Sequence, residues 1–361
     1  MNGETHSKCA PSKMSAMKRP VGILTGGGDC PGLNAVIRAV VRRAALDGVP
    51  ILGIKRGWDG LRDGDFSPLT RTSISGILAR GGTILGTSRT NPLADADALN
   101  QIRKNFDESE MAGLIVVGGN GTLAAAREMW HRHKMPVVGV PKTIDNDLRG
   151  TDMTFGFDTA VSIATDAIDR LHTTAESHDR VMILEVMGRM VGWIAATAGI
   201  AGGADIVLVP EKPFKISEIV KLIESRRKRK LTFSIIVVAE AARPDESEDF
   251  LSDETKAMLY NERNLGGIGR QLAREIEKRT NIETRVTVLG YTQRGGSPTP
   301  FDRVLATRYG IGAMELVLTE QWGQMVAIQG QKMTQVSLDE ATQGPKELDP
   351  DLYRAAEVFF G

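Results

Sequence analysis

Short runs of Val, Ile and Leu recur between helical patterns along nearly the whole chain, at 21–25, 51–54, 114–117, 137–140, 181–186, 206–209, 233–239, 285–289 and 325–328. Strands that are apolar on both faces need cover on both faces, and that is the situation of a parallel sheet between helix layers. Three of the runs lead straight into glycine, in Thr25-Gly26-Gly27-Gly28, Val117-Gly118-Gly119-Asn120-Gly121 and Leu289-Gly290. Open parallel sheets bind ligands at the carboxyl ends of their strands, so these glycines are expected to edge a cleft. The runs outnumber the strands of one compact sheet. The expected fold class is therefore α/β: two Rossmann-like three-layer lobes with mainly parallel sheets and a cleft between them. The break is expected near 152–158, with a return crossing near 291–297.

A chain of 361 residues is long enough for two domains and a large core. Lys plus Arg and Asp plus Glu stand at 45 each, which gives no electrostatic case for nucleic acid or an anionic membrane as partner. Only Cys9 and Cys30 are cysteines, too few for a disulfide scaffold or a thiolate metal site, and this suits a reducing cytoplasm. No stretch approaches a membrane span. Residues 1–18 are polar and read as a flexible N-terminal extension. The basic run 226–230 ends a helix-like stretch, where cations complement the helix dipole, so a solvated helix end is expected.

Chemistry concentrates first in 141–147, Pro-Lys-Thr-Ile-Asp-Asn-Asp, just after an apolar run. In an extended segment alternate side chains share a face, so Asp145 and Asp147 can point into one cleft. One carboxylate could then take a proton from a hydroxyl while the other holds a divalent cation against phosphate. A loop in which these side chains make only local turns is the competing reading. The glycine loop 26–32 joins a strand to the helix-like 33–46, where backbone N–H groups could cradle phosphate. It is neither a Walker A loop nor a clean G-x-G-x-x-G. A second glycine loop, 118–122, also precedes a helical stretch. Arg89, Arg189 and Arg294 each sit beside small or glycine residues, as suits a guanidinium that approaches an oxyanion closely, although each could equally serve a structural ion pair.

Five segments in order then carry a resemblance: Gly-Gly-Asp-Cys-Pro-Gly-Leu-Asn-Ala-Val-Ile-Arg at 27–38, Gly-Gly-Thr-Ile-Leu-Gly-Thr-Ser-Arg at 81–89, Pro-Lys-Thr-Ile-Asp-Asn-Asp at 141–147, Glu-Val-Met-Gly-Arg at 185–189, and Leu-Gly-Tyr-Thr-Gln-Arg-Gly-Gly-Ser-Pro at 289–298. Together they resemble the 6-phosphofructokinase family, bacterial type, over residues from about 20 to about 330. The resemblance implies Mg²⁺-dependent phosphoryl transfer to O1 of fructose 6-phosphate. It assigns Asp145 as base, Asp147 as the carboxylate on Mg²⁺, Thr143 near the transferring group, and Met187, Gly188 and Arg189 at the sugar phosphate. Glu240 falls where the family holds sugar hydroxyls, and Tyr291 and Arg294 where it grips the 6-phosphate. Arg180 and Arg285 match residues that reach this site from a neighbouring subunit, which implies a homotetramer or homodimer with shared sugar-phosphate sites. The donor positions are Gly28, Trp58, Arg89, Asn120, Gly121, Thr122 and Lys142, with Trp58 able to stack on adenine or simply to pack. The implied lobes are 19–156 plus 293–343 for the donor and 157–292 plus 344–361 for the sugar phosphate.

The chain also departs from the family pattern. Asn120 stands where an acid is usual, which is expected to leave Asp147 more exposed as the sole carboxylate. Tyr291 replaces a histidine. Arg38, Arg42, Arg71 and Arg229 match a basic effector pocket, but His172 and Leu231 occupy two further basic positions, which argues against strong allostery. Lys142 is typical of pyrophosphate users and Gly121 of ATP users. An empty position 121 leaves room for the α-phosphate and nucleoside, so ATP is the expected donor and pyrophosphate the alternative. A dehydrogenase is suggested only by the glycine loops, and a non-catalytic sugar-phosphate-binding paralogue is opposed by the presence of Asp145 and Arg189.

Overall fold

The computed structural model describes residues 19–259, 261 and 265–361. The expected extension 1–18 lies outside the described residues. The chain begins with β1 (Val21–Thr25), α1 (Leu33–Ala44), β2 (Ile51–Ile54), α2 (Trp58–Asp63), β3 (Phe66–Leu69), α3 (Ala96–Glu108), β4 (Gly113–Gly118), α4 (Asn120–His133), β5 (Val137–Thr143) and β6 (Phe155–Gly156). It continues with α5 (Phe157–His178), β7 (Val181–Val186), α6 (Trp193–Ala201), β8 (Ile206–Leu208), α7 (Ile216–Lys228), β9 (Ser234–Ala239), α8 (Asp253–Leu259), α9 (Ile268–Thr280) and β10 (Thr284–Val288). A 3₁₀ turn at Gly290–Arg294 leads to α10 (Pro300–Leu318), β11 (Gln324–Gln329), β12 (Lys332–Ser337), α11 (Leu338–Ala341) and α12 (Pro350–Glu357).

The strands form two sheets, an eight-stranded one in the order β12-β11-β5-β4-β1-β2-β3, with β6 paired to β5, and a four-stranded one in the order β10-β7-β9-β8. Pairing is parallel throughout except for β2 with β3 and β11 with β12. All nine apolar runs are strands. Of the three strands without an apolar run, β3 and β12 are edge strands with partly exposed residues, and β6 is only two residues long. Strand β5 contains Pro141, which lies between the β11 partners at Val138 and Gly139 and the β6 partners at Lys142 and Thr143, so neither neighbour on that side is interrupted. Helices α1 and α10 pack against each other, and residues from both sheets share one apolar core that includes Ile115, Val140, Leu184 and Val237. Among the described residues no helix is long and apolar enough to cross a membrane.

The chain passes from the first sheet to the second at β6–α5 and returns through the 3₁₀ turn into α10. Asp302, fully buried in α10, joins the two passages. Its carboxylate accepts from Gly156 N at 2.9 Å, Thr159 N at 2.8 Å and Thr159 Oγ1 at 2.5 Å, at the N-terminus of α5, where free N–H groups favour an anion. Thr299 caps α10 by accepting from Asp302 N at 3.2 Å, and it also donates to Asp158 Oδ2 at 2.6 Å.

The basic run departs from its expectation. Arg226 is not solvated: it is buried, with Nη1 2.8 Å from Asp205 Oδ1 and Nε 3.2 Å from Ser234 Oγ. Helix α7 turns this residue inward, and a buried guanidinium needs a carboxylate; the rest of the run is exposed at the helix end.

Replacing Asp302 with Ala strands three buried donors, each at a cost of about 1–3 kcal/mol. The variant is expected to melt at least about 5 °C below the parent in scanning calorimetry. A shift under about 1 °C would mean that the crossings are held by something else.

Candidate active site

Between the sheets lies a cleft of about 690 Å³, edged by the carboxyl ends of β1, β4 and β5 on one side and by the segments after β7 and β9 on the other. The first glycine loop is fastened at several points. Gly26 N donates to Val117 O at 2.9 Å, Gly27 N to Ser88 O at 2.8 Å, and Thr87 Oγ1 to Gly27 O at 2.7 Å. The N–H groups of Gly26 and Gly27 are thus used within the fold, and phosphate would have to meet the loop from Gly28 onward. A Cβ on Gly28 would lie 2.8 Å from Arg294 Nη1, so its lack of a side chain lets Arg294 approach the loop, where Nη1 donates to Asp29 O at 3.3 Å. Arg294, expected at the sugar phosphate, thus braces the first glycine loop.

The second glycine loop is only partly a loop. Asn120, Gly121 and Thr122 form the first turn of α4, whose free N–H groups face the cleft. The Thr122 side chain packs so close to Gly26 and Gly118 that a Cβ on either would collide with it, at 2.7 Å and 2.4 Å. A Cβ on Gly121 would meet nothing within 4 Å. Lys142, almost fully buried, lies beneath the first loop with its ammonium donating to the Gly28 carbonyl. Burial holds its pKa below the usual lysine range.

Asp145 and Asp147 both reach the cleft, but a pleated segment does not bring them there. Strand β5 ends at Thr143, and Asn146 has φ 52°, in the left-handed region, so a tight turn carries the two carboxylates to the same side. Asn146 holds that turn through its side chain, accepting from Thr154 N at 3.0 Å and donating to Asp152 O at 3.3 Å. Asp145 Oδ2 accepts from Thr143 Oγ1 at 3.1 Å. Asp147 Oδ2 accepts from Asn120 Nδ2 at 2.7 Å. The expectation that Asn120 leaves Asp147 more exposed fails, because the amide donates where a second acid would repel, and Asp147 is only 4% exposed. Burial, and then the charge of Asp145, push the Asp147 carboxyl above the usual range.

The remaining oxygens, Asp145 Oδ1 and Asp147 Oδ1, are buried with no hydrogen-bond partner. Bare carboxylate oxygens side by side fit a hard divalent cation, and Mg²⁺ commonly takes one or two protein carboxylates and completes its shell with phosphate and water. Among the described residues there is no cluster of three metal-ligating side chains that would form an all-protein cage.

Across the cleft, Met187 and Arg189 follow β7, with Gly188 between them at φ 149° and Arg189 at φ 55°. A Cβ on Gly188 would lie 2.7 Å from Val191 O, so only glycine fits. Met187 N donates to Gln293 Oε1 at 2.7 Å, and Arg189 N to Glu240 Oε1 at 2.9 Å. Tyr291 lines the same wall and is 74% exposed. Arg89 also lines the cleft.

Three expected residues lie elsewhere. Trp58 is buried in the core with Leu24, Ile54 and Leu61 and does not reach the cleft, so the packing alternative holds and no adenine stacks on it. Its helix lies across the sheet and turns the large apolar ring inward. Arg180 and Arg285 are outside the cleft, both paired with Glu283, the former at 2.7 Å. The structure adds residues that sequence reasoning missed: Thr90, Asn91 and Leu93, and, along α4, Ala124, Arg127 and Glu128. The α4 residues sit one and two turns beyond Gly121, and helical spacing from that glycine was the available signal.

Residues 20–317 match a family model described as phosphofructokinase. The chain is 51% identical over 342 residues to a pyrophosphate–fructose 6-phosphate 1-phosphotransferase of Streptomyces coelicolor, covering 94% of this chain and 99% of that one. It is 50% identical over 337 residues to an ATP-dependent 6-phosphofructokinase of Chloroflexus aurantiacus, covering 91% and 92%. Among solved structures, a pyrophosphate-dependent phosphofructokinase from Nitrosospira multiformis superposes with a TM-score of 0.82 at 20% identity, over 95% of this chain and 92% of that one, which is a likeness of fold.

Glu240 supplies a pH test. Burial pushes its carboxyl up to about 7, so the folded protein keeps a proton that the unfolded chain loses near its ordinary pKa. Stability from this group is therefore lost as pH rises from about 4.5 to about 7. In ligand-free protein, Glu240→Gln is expected to melt at progressively higher temperature than the parent as pH goes from 5 to 8, and a difference that stays flat would count against a raised carboxyl.

Proposed function

Since the chain belongs to the phosphofructokinase family, we propose that it transfers a phosphoryl group from ATP to O1 of fructose 6-phosphate. The observation that carries this reading is the turn that sets two buried carboxylates, each with a bare oxygen, between an anion-binding loop with Lys142 and a sugar-side wall with Arg189 and Glu240. The C1 hydroxyl of the sugar attacks the γ-phosphorus, an O–P bond forms as the bond to the β-phosphate oxygen breaks, and Asp145 takes the hydroxyl proton. Thr143, bonded to Asp145, fixes the orientation of that base. Asp147, held by Asn120, would hold Mg²⁺, which neutralises phosphate charge when bound. Lys142, desolvated beneath the glycine loop, and Arg189, across the cleft, place positive charge against the transferring group. Glu240, Met187, Gly188, Tyr291 and Arg294 orient the sugar phosphate.

The cleft supports ATP over the smaller donor. Gly121 has open space where a side chain would stand, and the cleft runs on past it to Leu93, Ala124 and Glu128, a reach that pyrophosphate does not need. Pyrophosphate remains the second reading because Lys142 is present and relatives of both kinds are similarly close. The donor lobe is taken as 19–156 plus 293–343 and the sugar lobe as 157–292 plus 344–361. Arg180 and Arg285, outside their own cleft, support an oligomer in which each completes a neighbour's sugar-phosphate site. The enzyme is placed in the cytoplasm.

Fructose 1,6-bisphosphate formation, assayed in parallel with ATP and with pyrophosphate, tests the reading directly: turnover with neither removes it, and turnover with pyrophosphate alone transfers the weight from Gly121 to Lys142. Asp145→Asn is expected to keep fructose 6-phosphate binding and lose roughly 10²- to 10⁴-fold in kcat, the contribution of a positioned base; near-parental turnover would take Asp145 out of the mechanism. Gly121→Asp should fold normally, since nothing stands within 4 Å of the new Cβ. Its carboxylate would meet the α-phosphate with overlap and like charge. ATP turnover should fall at least about tenfold more than fructose 6-phosphate affinity, and equal losses would argue that position 121 does not select the donor.

A further inference from the structure

After α11 the chain leaves the first sheet for good and runs through residues 342–349 to α12, which packs on α6 and β8 of the second. Lys346 lies midway along this strap and is tied to both lobes at once. Its main-chain N donates to Asp147 O at 2.8 Å. Its ammonium donates to Thr151 O at 2.9 Å and to Asp152 O at 2.8 Å, in the same loop that follows the carboxylate turn. On the other side, its carbonyl accepts from Trp193 Nε1 at 3.0 Å, and its ammonium stands 5.0 Å from the centroid of the Trp193 ring. Two residues on, Leu348 N donates at 3.1 Å to Glu211 Oε1, which also accepts from Gly192 N at 3.0 Å.

These contacts have distinct destinations. Asp147 belongs to the turn that carries the carboxylates and Thr151 and Asp152 to the loop after it, whereas Gly192 and Trp193 follow the 187–189 segment on the sugar side with two residues between. Phosphoryl transfer in this cleft requires the first group to be set against the second across a gap between two sheets. A shift of about 1 Å in such a pairing can cost about 10²-fold in rate without loss of either binding site.

We propose that Lys346 is a positioning residue: by bonding the carboxylate turn and the start of α6 together, it sets the offset between the Asp147 side and the Arg189 side of the cleft. It does not line the cleft. Its action runs through backbone carbonyls, the Trp193 indole and the attraction between its ammonium and the Asp147 carboxylate, and it couples occupancy of the two halves. The inference rests on the phosphoryl-transfer reading.

Lys346→Met keeps the stem against Trp193 and removes the charge and two hydrogen bonds. The variant is expected to lose 10- to 100-fold in kcat, while fructose 6-phosphate and a non-hydrolysable ATP analogue, each titrated alone by calorimetry, bind within about threefold of the parent. When one ligand is titrated in the presence of the other, any change of affinity seen in the parent should shrink towards none. Trp193→Phe, which removes the indole N–H but keeps a ring, should reproduce the kcat effect more weakly, and Lys346→Arg should restore part of it. Parent-like kcat in both Lys346→Met and Trp193→Phe would overturn the proposal, as would a kcat loss matched by equal losses in single-ligand binding, the mark of a merely damaged fold. A parent inactive with both donors would remove the phosphoryl-transfer reading and this inference with it, whereas an active parent with Lys346→Met and Trp193→Phe both indifferent removes this inference alone.

Discussion

Two carboxylates one residue apart are buried in the floor of the cleft, and that arrangement makes demands on everything around it. Ionised groups in a poorly hydrated setting resist burial and repel each other. Asp145 and Asp147 stay there because each gives one oxygen to a donor, Thr143 or Asn120, and keeps one bare. The backbone pays through Asn146, a non-glycine residue in the left-handed region, which asparagine tolerates better than most and which its own side chain secures to Asp152 and Thr154. Bare buried oxygens are costly on their own, and a bound cation would offset that cost.

From that turn the architecture radiates outward. Strand β5 carries it in the interior of the large sheet, flanked by the central strand β4, whose own end leads into the first turn of α4. This half of the cleft is therefore built from adjacent parallel strands with glycine at their ends, so backbone and not side chains forms much of the wall. Buried Lys142 adds one cation whose charge is little screened by water. The other half comes from the smaller sheet, and nothing in strand pairing relates it to the first. Its placement depends on the chain crossings: the Asp302 carboxylate at the N-terminus of α5, the 3₁₀ turn before α10, and the strap that contains Lys346.

Glycine acts differently at each site position. At Gly28 the missing side chain admits Arg294; at Gly188 it permits a backbone conformation and a close carbonyl; at Gly121 it leaves space unfilled. Only the last is free to accept a side chain without disturbing the fold, and a position of that kind is suited to govern which donor enters. That one chain can resemble ATP and pyrophosphate users to similar degrees is understandable if the choice rests on so few atoms.

Periodicity in the sequence was sufficient for nine strands, for the parallel sheets they make and for the glycine-edged cleft at their ends, because burial on two faces, which all of them but the partly exposed edge strand β10 have, leaves an uninterrupted apolar run. It missed β3, β6 and β12, whose residues are edge-exposed or too few to show a pattern. Ordered motifs located both carboxylates and most cleft residues, since loops that carry chemistry keep their residue types in short contiguous stretches. Trp58, Arg226 and Lys346 were beyond that reach. Whether a tryptophan stacks on a ligand or packs in a core, and whether an arginine ends in solvent or against Asp205, is decided by which way a helix turns its face after docking. Lys346 meets Asp147, 199 positions away in sequence, and Trp193, 153 positions away; contacts of that span exist only once two sheets have been set against each other, and no local pattern encodes them.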